Sequence, residues 1–130
     1  MEVTQKSLFI NGQTNNTRFK LIYDSGSSLI PLLVPYELWT QLTESSANDI
    51  RNDLIDASGI GGNYHLVGNR MKGGFQLGDI SFENPMVYFE QSDQIPFKDL
   101  GSDGLIGNRL FLEEFIIGLD FNKGWMTLER

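Results

Sequence analysis

At 130 residues with 40% hydrophobic residues, the chain is long enough to bury its own core, and its composition excludes intrinsic disorder. It has no Cys and one His, which excludes disulfides and thiolate nucleophiles and argues against most metal centres and a His-based triad. The net charge of −7 argues against nucleic-acid binding, because phosphate contacts require clustered Lys and Arg. No stretch approaches the about 20 apolar residues of a membrane span. We expect a single domain over residues 1 to 130, with no metal or cofactor.

The N-terminal third of the chain predicts strands. Residues 3 to 10 and 18 to 23 alternate between apolar and polar side chains, with Asn11-Gly12 and the polar stretch up to Thr17 between them. This pattern is typical of a hairpin, with Asn-Gly as its turn signal. Residues 29 to 34 form a further apolar run and predict another strand.

Two short helices are expected next. Pro35 suits a first helical turn, and the apolar residues that follow recur at helical spacing, so residues 35 to 44 predict a helix. Ser46 or Asn48 could cap a second helix running through Ile50 and Leu54. Both helices are interpreted as insertions on a β scaffold.

The C-terminal half again predicts strands and turns. Residues 71 to 77 alternate, with a bend at Gly73-Gly74, and residues 80 to 89 form a strand interrupted at Asn84-Pro85. Gly78-Asp79 predicts the turn between them. Many short strands separated by turn residues indicate an all-β barrel or sandwich with minor helix.

The last forty residues predict a loop, a short helix and a hairpin. Residues 91 to 101 are polar and read as a loop, residues 108 to 114 as a helix, and residues 122 to 124 as a hairpin turn.

One turn carries the candidate chemistry. Asp24 follows the apolar run Leu21-Ile22-Tyr23 and begins the segment Asp24-Ser25-Gly26-Ser27-Ser28. A strand that ends in Asp, a small hydroxyl residue and Gly presents a carboxylate at a tight turn, where Gly allows another backbone to approach. An isolated Asp-Ser-Gly is by default an ordinary Asx turn. A second apolar-apolar-Gly triplet, Leu105-Ile106-Gly107, favours a functional interpretation.

Three segments of the chain resemble motifs of the retropepsin-like aspartic proteases, in particular the bacterial and cellular single-lobe members, and they occur in the same order as in that family. They are the Asp24 turn, Gly59-Ile60-Gly61-Gly62 and residues 105 to 111. Residues 115 to 128 are similar to their closing hairpin. The resemblance covers roughly residues 7 to 128. Residues 39 to 56 match no family pattern, and the helical insertion at residues 35 to 56 displaces the glycine-rich segment along the chain.

The resemblance implies an all-β fold, the closed β-barrel half of a pepsin-type protease with short helices. It implies that Asp24 is catalytic and that Ser25 reaches across to the opposite loop. Residues expected to support the active-site loop are Ser25, Gly26, Ser27, Ile106 and Gly107. The flap over the substrate would comprise Gly59, Ile60, Gly61 and Gly62, although a plain flexible turn fits that segment equally well on its own. Tyr23 is bulkier than the residue usual before the catalytic Asp.

Peptide hydrolysis by carboxylates needs two of them sharing one proton, because two negative charges about 3 Å apart cannot both persist in a semi-buried site. The chain has one Asp-Ser-Gly, and its other Asp-x-Gly, Asp99-Leu100-Gly101, lacks the hydroxyl and the preceding apolar pair. The simplest source of the second carboxylate is Asp24 of a second copy, which predicts a homodimer acting on a peptide or protein. One alternative is one lobe of a longer two-lobed protease. Another is a non-catalytic peptide-binding module of the same fold.

Other candidates receive weaker interpretations. His65 is expected to be a partly buried packing residue rather than a catalyst. Leu29, Ile30, Ile60 and Val67 are candidates for the apolar walls of a substrate cleft.

Overall fold

The computed structural model describes residues 2–4, 7–14, 17–24, 30–59, 62–78, 80–93, 95–110, 116–120 and 125–129. Most of the described residues lie in strands. The described elements, in chain order, are β1 (Glu2–Thr4), β2 (Ser7–Thr14), β3 (Thr17–Asp24), β4 (Leu32–Leu33), helix α1 (Tyr36–Thr43), β5 (Asp53–Gly59), β6 (Gly62–Arg70), β7 (Gly74–Leu77), β8 (Ile80–Glu83), β9 (Met86–Glu90), β10 (Gly104–Gly107), a 3-10 turn (Asn108–Leu110), β11 (Ile116–Asp120) and β12 (Trp125–Glu129).

Ten strands form one curled sheet in the order β5-β6-β9-β4-β10-β3-β2-β7-β8, with β1 paired to β2. Strands β11 and β12 form a separate antiparallel pair. The sheet curls into a half-barrel with one short helix in the described part of the chain, which confirms the expected all-β fold. Most neighbours are antiparallel, but β10 runs parallel to β3 and antiparallel to β4. Strand β10 therefore lies between two strands from the N-terminal third of the chain.

The main core lies on the inner face of the curled sheet and beneath α1. In β3 the alternation predicted from the sequence is present: Phe19, Leu21 and Tyr23 are buried, while Arg18 and Lys20 are exposed. Such alternation is typical of a strand with one face on the core. A second, smaller cluster lies around Leu66 and Tyr88.

Helix α1 confirms the prediction for residues 35 to 44. Its first N–H, from Tyr36, donates to Asp93 Oδ1 at 3.0 Å, and the helix ends at Glu44, whose φ is 52°. Trp39 anchors the helix to the core: its side chain is 0% exposed, and its indole Nε1 donates to the Val87 carbonyl at 2.8 Å.

The second predicted helix is wrong. Residues around Ile50 form turns, and Leu54 lies in strand β5. Ile50 is 99% exposed, so no apolar face holds this segment on the core. Instead, Asp49 Oδ1 accepts a hydrogen bond from the Arg51 N–H at 2.9 Å. Short polar side chains that bind nearby backbone compete with helix formation in this way.

The predicted hairpin is confirmed as the antiparallel pair β2–β3, but Asn11 and Gly12 do not belong to its connection, because both residues lie inside β2, where Gly12 pairs with Phe19. A Cβ at Gly12 would lie 2.5 Å from the buried ring of Phe75. The glycine therefore provides room for a core aromatic ring. The β2–β3 hairpin instead reverses beyond the Thr14↔Thr17 pair.

Several other local predictions are confirmed. Gly73 and Gly78 have φ values of 92° and 58°, which glycine adopts without strain, and they lie at the predicted bend and turn. Asn84 and Pro85 separate β8 from β9 as expected. The predicted apolar strand at residues 29 to 34 is shorter, because among its described residues, 30 to 34, only Leu32–Leu33 is strand.

The elements expected near the C-terminus are partly described. Of the predicted helix at residues 108 to 114, the structure describes the 3-10 turn Asn108–Leu110, and residues 111 to 115 lie outside the described residues. Asp120 pairs with Trp125 across the expected hairpin, whose turn also lies outside them.

Candidate active site

The two apolar-apolar-Gly segments singled out in the sequence lie side by side. Asp24 is the last residue of β3, and its backbone is in register with Gly107, the last residue of the parallel strand β10. Tyr23 is in register with Ile106 in the same way. Because the strands are parallel, both segments end at the same edge of the sheet. Ser25, Gly26 and Ser27 lie outside the described residues.

The end of β10 contacts the chain on both sides of residues 25 to 29, which lie outside the described residues. Before them, β10 pairs with β3, and after them the Pro31 carbonyl accepts a hydrogen bond from the Gly107 N–H at 3.0 Å. Ile106 is 0% exposed and belongs to the main core with Tyr23. The strand that carries Ile106 and Gly107 is thus fixed from below by the core and laterally by both neighbouring strands.

Close packing of β10 depends on a small residue at its start. A Cβ at Gly104 would lie 2.7 Å from the Leu33 carbonyl oxygen and 2.9 Å from Val34 Cγ1. Both neighbours belong to the segment that begins at β4. Gly104 therefore sets how near β10 can lie to β4.

The glycine-rich segment lies on a hairpin at one edge of the sheet. Strands β5 and β6 pair antiparallel from Asp53↔Gly68 to Gly59↔Gly62, and Ile60 and Gly61 lie outside the described residues. The described β6–β9 pairing reaches only to Leu66↔Glu90. The hairpin pairs nearer the glycines therefore extend past the end of β9, with the last described contacts being the Gln91 N–H donating to the His65 carbonyl at 2.8 Å and the packing of Tyr64 on the second cluster.

His65 differs from the sequence expectation. Its side chain is exposed, and its Nδ1 lies 2.6 Å from Asp56 Oδ1 on the facing strand. An exposed cross-strand pair of this kind contributes little to stability. The described contacts of His65 are those of a surface residue of the hairpin.

Two of the four proposed cleft-wall residues are wrong. Val67 is 3% exposed within the main core, and Ile30 is 8% exposed within the second cluster. Both side chains pack among other buried apolar side chains, so neither is exposed to line a substrate cleft. Leu29 and Ile60 lie outside the described residues.

A polar contact at the base of the hairpin escaped the sequence analysis. The Tyr88 hydroxyl on β9 donates to Asp53 Oδ2 on β5 at 2.6 Å. Burial, followed by the hydrogen bond to the Asp53 carboxylate, raises the pKa of Tyr88 well above its ordinary value. The one sequence signal for this contact was Gly68, a glycine inside a strand, over which the Tyr88 ring lies.

A metal-binding cluster and a membrane-spanning helix are both absent from the described residues. Among them no group of three or more His, Asp or Glu side chains could hold a metal ion. Nor does any helix in the described ranges have the length and apolar character needed to cross a membrane.

No protein-family model matches the sequence, and no curated protein matches it. A solved structure does match: the crystal structure of a retropepsin-like aspartic protease from Rickettsia conorii, with a TM-score of 0.58. The match covers 88% of this chain and 84% of that chain, at 18% sequence identity. At this identity the likeness shows a shared fold, and activity requires a separate argument from the residues.

Proposed function

We propose that this chain is an aspartic endopeptidase in which Asp24 and the Asp24 of a second copy form the catalytic pair. The observation that carries the proposal is the parallel register of Asp24 with Gly107. It joins the Asp-Ser-Gly segment to the Leu-Ile-Gly segment within a fold shared with a retropepsin-like protease. An ordinary Asx turn would not require a second motif at the same sheet edge.

The chemistry follows from one proton shared by two carboxyl groups. The ionised carboxylate accepts a proton from a water molecule, whose oxygen attacks the peptide carbonyl carbon. The protonated carboxyl group donates its proton to the carbonyl oxygen, which gives a neutral tetrahedral intermediate. Proton transfer to the peptide nitrogen then breaks the C–N bond and releases an amine and a carboxylic acid. The pair titrates as a unit, so its pKa values belong to both carboxyl groups together.

Each residue of the active turn has a proposed part. Ser25 would donate its hydroxyl hydrogen bond across the twofold axis, and Gly26 and Ser27 would let the two loops approach each other. Ile106 and Gly107 would hold the turn rigid, in keeping with the buried position of Ile106 and the backbone contacts of Gly107. One subunit of residues 1 to 130 would therefore supply half of the site.

The hairpin formed by β5 and β6 would cover the substrate. Gly59, Ile60, Gly61 and Gly62 would form its tip, where backbone amides can bind an extended peptide and closure excludes water. Support comes from the hairpin register up to Gly59↔Gly62 and its extension past β9. The substrate class is a peptide or an unfolded protein segment bound as a strand.

The test is cleavage of an unbiased peptide library by wild type, Asp24→Asn and the control Asp99→Asn. Asp99 is exposed and begins the other Asp-x-Gly of the chain, so the control makes the same chemical change away from the turn. We expect cleavage products from wild type and Asp99→Asn, and none above background from Asp24→Asn, because an amide cannot share the proton. Wild-type activity in Asp24→Asn would exclude Asp24 from the mechanism. A wild type that cleaves no peptide at any concentration would support the peptide-binding or isolated-lobe alternatives.

A further inference from the structure

Three residues lie in one row across three strands at the base of the β5–β6 hairpin. Asp53 on β5 is in register with Gly68 on β6, and Gly68 is in register with Tyr88 on β9. Tyr88 does not bond to its direct neighbour through its side chain. Its hydroxyl passes over Gly68 and donates to Asp53 Oδ2 at 2.6 Å.

The middle position must be glycine for this contact to form. A Cβ at Gly68 would lie 2.2 Å from Tyr88 Cε2 and 2.4 Å from Cδ2, so any side chain there would displace the ring. The ring itself is held firmly, because Tyr88 is 5% exposed and packs in the second cluster with Leu66 and Phe97. The donor group is therefore held in place before it reaches Asp53.

Asp53 lies on the edge strand of the sheet. Among the described residues β5 pairs with β6 and with no other strand, so its backbone hydrogen bonds reach the rest of the sheet only through β6, while Ile55 packs against the second cluster. The Tyr88 contact adds a direct connection from β9 to β5. Edge strands held by one ladder open more readily than inner strands, because fewer hydrogen bonds must break.

We propose that Tyr88 and Asp53, with Gly68 between them, form a latch that fixes the base of the β5–β6 hairpin and so sets how readily this hairpin closes over substrate. The catalytic consequence rests on the function proposed above, whereas the structural consequence does not. Tyr88 and Asp53 are positioning residues: they hold the hairpin, and the chemistry takes place elsewhere. The projecting part of the hairpin then moves about a fixed base.

The surroundings of the latch favour a persistent bond. Burial and the Asp53 carboxylate raise the pKa of Tyr88, which keeps its hydroxyl protonated and able to donate. The charges of Arg70 and Arg109 also act on this hydroxyl, in the direction that lowers its pKa, but the raising effects dominate.

The test compares Tyr88→Phe with Tyr36→Phe by amide hydrogen exchange and steady-state kinetics. Tyr88→Phe removes the hydroxyl and keeps the ring over Gly68, and Tyr36→Phe makes the same change on α1, outside the hairpin. A hydrogen bond to a charged group is strong enough that its loss should speed exchange at residues 54 to 56 and 65 to 67 by about tenfold. We expect KM to rise by about three- to tenfold and kcat to change less than about twofold, because the change weakens closure of the hairpin over the substrate and leaves the catalytic groups unaltered.

Changes at Asp53 separate the latch from general packing. Asp53→Asn retains a side-chain oxygen that can accept from Tyr88 but loses the negative charge, so its exchange rates and KM should lie between those of wild type and those of Asp53→Ala. Asp53→Ala removes the acceptor from an exposed site and should reproduce the effect of Tyr88→Phe. The double variant should show no further increase, since both changes break the same bond.

Equal hairpin exchange in Tyr88→Phe, Asp53→Ala and Tyr36→Phe overturns the latch. If Tyr88→Phe does not fold, Asp53→Ala alone decides the matter. A wild type without peptidase activity refutes the proposed function, yet the exchange rates still decide whether the latch holds the hairpin. Faster exchange with unchanged KM overturns the proposed control of closure.

Discussion

Gly104→Ala tests whether close packing of β10 between β3 and β4 holds the candidate active strand. The new Cβ would lie 2.7 Å from the Leu33 carbonyl oxygen, 2.9 Å from Val34 Cγ1 and 3.2 Å from Leu21 Cδ2. The nearest atom is backbone in a neighbouring strand, so a side-chain rotation cannot relieve the contact. Strand β10 or β4 must shift by several tenths of an ångström.

The magnitude follows from two opposing effects. Overpacking of a closed core site costs about 1–3 kcal/mol. Replacement of Gly by Ala lowers the entropy of the unfolded chain and stabilises the fold by about 0.4–1 kcal/mol where the native backbone accepts it. The net loss is about 1–2 kcal/mol, which for a domain of this size lowers Tm by roughly 4–8 °C.

The assay is thermal and urea unfolding of Gly104→Ala beside Gly74→Ala. The control places a methyl group on another strand, where the nearest atom, the Phe82 carbonyl oxygen, is 3.7 Å away at ordinary contact distance. Gly74→Ala should therefore keep or raise Tm. The peptidase activity of Gly104→Ala should fall by more than the loss of folded protein alone would cause, because β10 carries Gly107 beside Asp24. A Gly104→Ala protein as stable as Gly74→Ala would refute the packing argument.

Two further predictions concern the core and the catalytic pair. Trp39→Phe should lower the free energy of unfolding in urea by about 2–4 kcal/mol, because it leaves a cavity and removes the indole donor from the buried Val87 carbonyl. The control Ile50→Ser, at a 99% exposed position, should stay within about 0.5 kcal/mol of wild type. Turnover should show a bell-shaped pH profile with its maximum in the acid to mildly acidic range, where the pair holds one proton, and a flat profile from strongly acid to neutral pH would contradict a shared proton.

Local sequence signals predicted local structure well where no distant residue competed with them. Pro35 and the helical spacing around Trp39 predicted α1, and Gly73 and Gly78 predicted a bend and a turn. At Gly12 the turn signal was misleading, because the glycine lies within a strand and makes room there for the Phe75 ring. In the segment around Ile50, the side chain of Asp49 satisfied local backbone and no apolar face favoured a helix.

The candidate site was accessible from the sequence only through the order of its motifs. Nothing in the residues themselves dictates that Asp24 and Gly107 lie in parallel register, because this pairing joins distant parts of the chain. The resemblance supplied only the expectation that Ile106 and Gly107 support the loop that carries Asp24. The contact between Tyr88 and Asp53 was inaccessible, since it depends on the register of three strands. A slip of one residue in either pairing would turn these side chains to opposite faces.

The central claim is that two copies of Asp24 form one catalytic pair, and specific activity measured across a dilution series tests it most directly. If each subunit supplies one carboxyl group, activity per subunit should rise with protein concentration until the dimer saturates. Excess Asp24→Asn subunits, allowed to exchange with wild type, should suppress activity by forming mixed dimers with one competent carboxyl group. Activity per wild-type subunit that stays constant down to a concentration at which sedimentation shows only monomer would contradict the claim.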